Sequence, residues 1–205
     1  MRRILVIVTA LTLGALALPA EAKAFTYTDP KDMPADAGLD IVGVRYATEG
    51  TTSTRKVGRR TVKKYEPTKL VVTMTMAGPV FNQPGVKYHL HAQAEGCGEM
   101  KFIYTPAAGK DVLTYSQFSL ACGGAPGALG GTTLFFAPQF AIKGNSLVWA
   151  VPLKALPKNV RAGALLYGFK SSVDITDPAI GALGPEDFGD GVLDKAKTDA
   201  DWEIS

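Results

Sequence analysis

Beyond residue 24 this chain has no apolar run that approaches the roughly 20 residues needed to cross a bilayer. Nor does any long window carry an apolar stripe at helical spacing. Its 205 residues include only two cysteines, two histidines and two tryptophans. With no Cys-x-x-Cys pair, zinc knuckles and thioredoxin-type redox sites are excluded. With no Gly-x-Ser-x-Gly, the strand-to-helix elbow of a serine hydrolase is excluded too, and Ser116 and Ser119 fall in a strand pattern. A glycosidase needs only two opposed carboxylates, and the many acidic residues here single out no pair. The expectation is a protein that binds rather than reacts.

What is present begins with the leader. Arg2 and Arg3 precede an apolar run over residues 4–18, Pro19 breaks it, and Ala20-Glu21-Ala22 and Ala22-Lys23-Ala24 follow. A positive start, a short apolar stretch and small residues at peptidase spacing predict a secretory signal peptide over residues 1–24, cut after Ala22 or before Phe25. No cysteine stands at the cut, so the expected product is secreted and released without a lipid anchor. The segment holds three of the 22 basic and one of the 19 acidic residues, which leaves residues 25–205 close to neutral. The pI of about 8.8 therefore says little about partners. Residues 25–205 suit one domain. In an exported chain, Cys97 and Cys122 are expected to form a disulfide.

Period-two alternation runs through this region. Tyr88, Leu90, Ala92 and Ala94 alternate with Lys87, His89, His91, Gln93 and Glu95, as in a strand with one buried and one wet face. Leu70, Val72, Met74 and Met76 form another such face. Further strands are expected over residues 40–47, 100–105, 112–120, 132–136, 139–143, 146–151 and 164–175. Lys143-Gly144-Asn145-Ser146 reads as a hairpin turn. Residues 25–38, 121–131 and 176–191 read as irregular, and 192–200 as no more than a short exposed turn. Trp149 is expected in the core, and Trp202 and Ile204 in a terminal edge strand that docks back on a sheet. About nine short strands with Gly and Pro at their junctions predict an all-β, antiparallel β-sandwich with one disulfide.

Four groups of residues carry candidate chemistry. Arg55, Lys56, Arg59, Arg60, Lys63 and Lys64 flank Gly58 in a threonine-rich stretch, predicting a protruding basic hairpin. Such a hairpin suits a polyanion, for instance an acidic cell-envelope polymer. The competing reading is a solvated edge whose like charges prevent aggregation. With Tyr65 as its lone interleaved aromatic, it does not read as a nucleic-acid binder. His89-x-His91 places two rings on one strand face, a spacing that can chelate zinc or copper, with Glu95 as the nearest third ligand. The alternative is a plain surface pair. Asp36, Asp40, Asp187 and Asp190 belong to acidic clusters at the two ends of the chain and would supply oxygens to Ca²⁺ if those ends meet. Otherwise they are solvated turns. Any of Tyr27, Tyr46, Tyr65, Tyr104 and Tyr115 that faced outward would offer a sugar a stacking surface.

Three runs carry a family resemblance: Asp29-Pro30 through Asp36, Gly38-Leu39-Asp40-Ile41-Val42-Gly43-Val44, and the strand from Leu70 to Met76 with Tyr88 opening the next. Asp174-Ile175-Thr176-Asp177-Pro178 and Asp199-Ala200-Asp201-Trp202 complete it. This order resembles the β-sandwiches of the DOMON and family-nine carbohydrate-binding group. The resemblance implies a sandwich that binds sugar or haem, in some members with structural calcium near the chain ends. Haem-binding members pair a Met with a His or Lys, here Met76 or Met100 with His89 or His91.

Overall fold

Alternating apolar residues drive this chain into strands, because each inward side chain gains burial only when the backbone extends. The computed structural model describes residues 24–29, 31, 37–106, 116–122, 132–175, 192–198 and 200–204. Within them lie β1 (Ala24–Thr28), β2 (Ile41–Val57), β3 (Arg60–Met76), β4 (Val86–Ala94), β5 (Glu99–Tyr104) and β6 (Ser116–Cys122). β7 (Thr132–Phe136), β8 (Gln139–Lys143), β9 (Ser146–Pro152), β10 (Leu165–Ile175), β11 (Val192–Thr198) and β12 (Trp202–Glu203) follow. Two 3₁₀ turns, Leu153–Ala155 and Lys158–Val160, connect β9 to β10.

One sheet has the order β1-β2-β3-β9-β8 and the other β11-β10-β4-β5-β6-β7, with β12 also on β10. Every pairing is antiparallel. Aromatic pairs close the space between the sheets: Tyr46 of β2 lies 4.7 Å from Phe169 of β10, and Tyr104 of β5 the same distance from Phe140 of β8. Phe102 and Trp149 meet at 6.1 Å near the centre of the same core. The all-β antiparallel sandwich is thus as expected. So are the inward faces of β3 and β4, the burial of Trp149, and the docking of Trp202 on β10. Cys97 and Cys122 are bonded.

The described residues hold twelve strands rather than about nine: β12 is the terminal edge strand expected at Trp202, and β1 and β11 add two more for local reasons. The stretch read as an irregular leader opens with β1, an edge strand that needs only two inward residues. Phe25 stacks on Phe169 at 4.6 Å, and Tyr27 is buried. Residues 192–198 form β11, held by its ladder to β10 from Thr198 to Val192, and backbone pairing of that kind leaves little mark on a sequence. A register shift between Ile41 and Gly43 also breaks the simple alternation of residues 40–47. It lets Ile41, Val44 and Tyr46 all face the core. The stretch 121–131, read as irregular, instead begins with Ala121 and Cys122 ending β6; residues 123–131 and 176–191, and residues 112–115 of the strand expected over 112–120, lie outside the described residues.

Candidate functional site

The feature that departs from a plain sandwich is an arm. β1 covers β2 only through Ala47, and β9 covers β3 only from Lys69. Residues 50–67 therefore pair with nothing but each other and form a two-stranded ribbon about 25 Å long, at about 3.4 Å per residue. Every side chain from Glu49 to Lys64 is exposed. Gly58 turns the tip with φ +62°, a left-handed conformation that glycine adopts without strain.

A bulge sets the root of the arm. Glu49 faces Lys69 while the next residue, Gly50, faces Pro67. A Cβ on Gly50 would come within 2.1 Å of the Glu66 carbonyl oxygen, so only glycine permits this approach. Tyr65 Oη donates to Thr48 Oγ1 at 3.3 Å, and Thr68 Oγ1 to the Glu49 carbonyl at 3.1 Å.

Cross-strand partners share a face, and this sorts the six cations. Arg55 opposite Val62, Val57 opposite Arg60, and Ser53 opposite Lys64 lie on one side, which continues the outer face of the first sheet through Glu49 and Lys69. Lys56 opposite Thr61 and Thr54 opposite Lys63 lie on the other, with Arg59 in the turn. The structure thus brings all six predicted residues onto one free-standing element. The carboxylates on this element are Glu49 and Glu66, and Lys64 pairs with Glu66 at 2.9 Å.

The histidines sit elsewhere, on the outer face of the second sheet, with rings 6.0 Å apart. Each is engaged by a carboxylate. His89 Nε2 lies 3.0 Å from Asp174 Oδ2 on β10, and His91 Nδ1 donates to Glu99 Oε1 at 2.7 Å on β5. Lys101 holds the other Glu99 oxygen at 2.8 Å. Glu95, the expected third ligand, is instead exposed in the turn after β4, where Gly96 reverses the chain. Among the described residues no group of three His, Cys, Asp or Glu side chains is gathered that could hold a metal ion. Nor do Met76 and Met100 meet either histidine as a haem clamp: both methionines point into the core, away from the face that bears the rings.

Burial pushes His89 below the ordinary imidazole value, reinforced by His91, Lys87 and Lys101 and opposed by Asp174. Burial raises Glu99, but the hydrogen bonds from Lys101 and His91 and their charges outweigh it and hold the carboxyl below its usual value. The native state binds fewer protons at His89 than the unfolded chain does, so stability is full above the unfolded value of 6.5 and falls as pH drops through it. The melting midpoint is therefore expected to decline from pH 7 towards pH 5, and His89→Gln to flatten that decline. A wild-type midpoint constant over this range would contradict the assignment.

Of the calcium candidates, Asp36, Asp187 and Asp190 lie outside the described residues. Asp40 is completely buried just before β2, and among the described residues neither of its carboxylate oxygens has a hydrogen-bond partner. Tyr27, Tyr46 and Tyr104 are core residues and offer no stacking surface; burial lifts the Tyr27 hydroxyl to about 12. Tyr65 is half-buried at the arm's root, and Tyr115 lies outside the described residues. The sequence reading missed Asp174 and Glu99 as histidine partners, because only strand register brings them there. The chain matches no family model, no curated protein and no solved structure.

Proposed function

We propose that this protein is a secreted, non-catalytic β-sandwich that binds an anionic polysaccharide of the cell envelope through its basic arm. The observation that carries the reading is the arm itself. A ribbon of residues 50–67 with six cations and no cover from either sheet gains nothing for the core. Two-stranded ribbons are marginal in water, so one of this length is best accounted for by what it grips. Like charge on both faces also discourages pairing with a second copy. The resemblance to the DOMON and family-nine carbohydrate-binding group, which implies sugar or haem, supports a carbohydrate ligand without bearing on its charge. The test is co-sedimentation of the purified protein with an insoluble acidic polysaccharide and with a neutral one of similar backbone. Retention by the acidic polymer alone, lost in high salt, is the expected result, and equal retention by both would refute the reading.

A second reading rests on Asp40, since a buried carboxylate with no donor among the described residues is costly unless a cation or a proton neutralises it. Ca²⁺ is the matching ion: hard, and satisfied by carboxylate and carbonyl oxygens. At about 100 times its dissociation constant it would stabilise the fold by about 2.7 kcal/mol, raising the midpoint by about 5–10 °C. Asp40→Asn is expected to lose that response. A wild-type midpoint indifferent to Ca²⁺ and to chelator would rule the site out.

A further inference from the structure

At the root of the arm the outer face of the first sheet opens into a groove of about 680 Å³. This lies within the roughly 300–1,000 Å³ typical of small-molecule sites. Pro67, Pro152 and Leu153 give it an apolar floor, and Lys69, Lys154 and Arg161 supply its cations; among the described residues no carboxylate lines it. Two of these cations are held in place. Arg161 Nε donates to the Leu156 carbonyl at 2.9 Å and Nη2 to the Lys154 carbonyl at 3.1 Å, which fixes the guanidinium while three of its five donors remain. Lys69 Nζ donates to Gln139 Oε1 at 3.3 Å. A smaller depression of about 240 Å³ adjoins it through Lys69 and Gln139 and contains Glu49, which bounds the positive field on that side.

We propose that this groove is a subsite for an acidic sugar unit, a hexuronate, of the same polymer that the arm grips. The inference rests on the polysaccharide reading above and gives it a substrate class. Two features select the ligand. An apolar floor of prolines and leucine suits the C–H face of a pyranose ring, and a rim of three cations suits a carboxylate carried on that ring. A bare phosphate would leave the floor unused. Continuity supplies the third argument: Arg60, Arg55 and Lys64 share the arm face that runs past Glu66 and Glu49, the former paired with Lys64, into Lys69, so tip and groove lie along one track of about 30 Å at about 3.4 Å per residue. A long chain engages both ends of the track, whereas a short oligomer fills the groove alone.

The experiment is titration of the purified protein with a short oligogalacturonate, its methyl ester and inorganic polyphosphate, alongside retention on long polygalacturonate. The native protein is expected to bind the free acid and not the ester. Lys69→Gln/Lys154→Gln is expected to weaken short-oligomer binding by about tenfold or more, the scale of a lost charge-assisted hydrogen bond. Glutamine at the six arm cations is expected to leave short-oligomer binding within about twofold of native, since rim charges in water contribute little to a distant pocket. Equal binding of acid and ester, preference for polyphosphate, or native affinity in the Lys69/Lys154 variant would each overturn the subsite. No short-oligomer binding by the native protein, with polymer retention lost in the arm variant, would leave the arm reading standing and remove the groove. Short-oligomer binding lost in the Lys69/Lys154 variant, with polymer retention unchanged in the arm variant, would do the reverse.

Discussion

Glutamine at Arg55, Lys56, Arg59, Arg60, Lys63 and Lys64 is expected to abolish retention on an acidic polysaccharide while leaving the melting midpoint within a degree or two of native. The two halves of this expectation have separate causes. All six side chains are exposed, and their ribbon meets the body of the sandwich only at its root, through Tyr65 and Pro67, so their charges contribute little to folding. Binding is another matter. Each cation that neutralises a charge on a polyanion releases a condensed counterion, so affinity falls as a power of salt concentration. With a flexible single-stranded polyanion as the upper limit, six contacts give a log–log slope near −4, and losing them costs on the order of a hundredfold or more. The measurement is retention against salt concentration for native and variant protein. A variant that still binds, with an unchanged salt slope, would show that the arm is only a solvated edge.

The sandwich was legible because β4 and the inner half of β3 keep a period-two face, although register shifts interrupt it in β2 and β10. Val86 to Ala94 alternates buried and half-buried along its whole length, and Leu70, Val72, Met74 and Met76 are wholly buried. The arm was legible for the opposite reason: six cations around one glycine cannot be buried, so they must lie on an element that leaves the core. Peripheral strands were harder. β1 shows only Phe25 and Tyr27 as inward residues, and β11 is specified by its ladder to β10. Site chemistry that depends on register left no local trace. Asp174 reaches His89 because Ser172, two residues before it, is the residue opposite His89 across the ladder. Glu99 reaches His91 because Lys101 stands opposite that ring. The groove gathers Lys69, Lys154 and Arg161 from β3, a 3₁₀ turn and the loop beyond it, so no window of sequence contains it. Asp40 looked like one acidic residue among several, and its burial with no donor among the described residues sets it apart.

The largest effect on stability is expected from the disulfide. Cys97 lies in the turn between β4 and β5, and Cys122 ends β6, so the bond clamps the open end of the β5–β6 ladder just beyond the pair Met100 and Leu120. It closes a loop with a sequence separation of 25 residues. Restricting the unfolded chain to that loop stabilises the native state by roughly 3.5 kcal/mol on the chain-entropy model. For a domain of this size that corresponds to a fall of about 7–14 °C when the bond is lost. Cys97→Ala/Cys122→Ala should show it, and so should the native protein under reductant. The damage should also spread to the first sheet's side of the molecule. Asn159 Nδ2 donates to the Gly96 carbonyl at 2.8 Å and lies 3.6 Å from Cys97 Sγ, tying the clamped turn to the 3₁₀ segment that leads into Arg161. Loosening that turn should weaken the groove before it touches the arm. Reductant is therefore expected to lower short-oligouronate affinity at temperatures where retention on the long polymer persists. Two free thiols in the purified protein, or a midpoint indifferent to reductant, would refute the clamp.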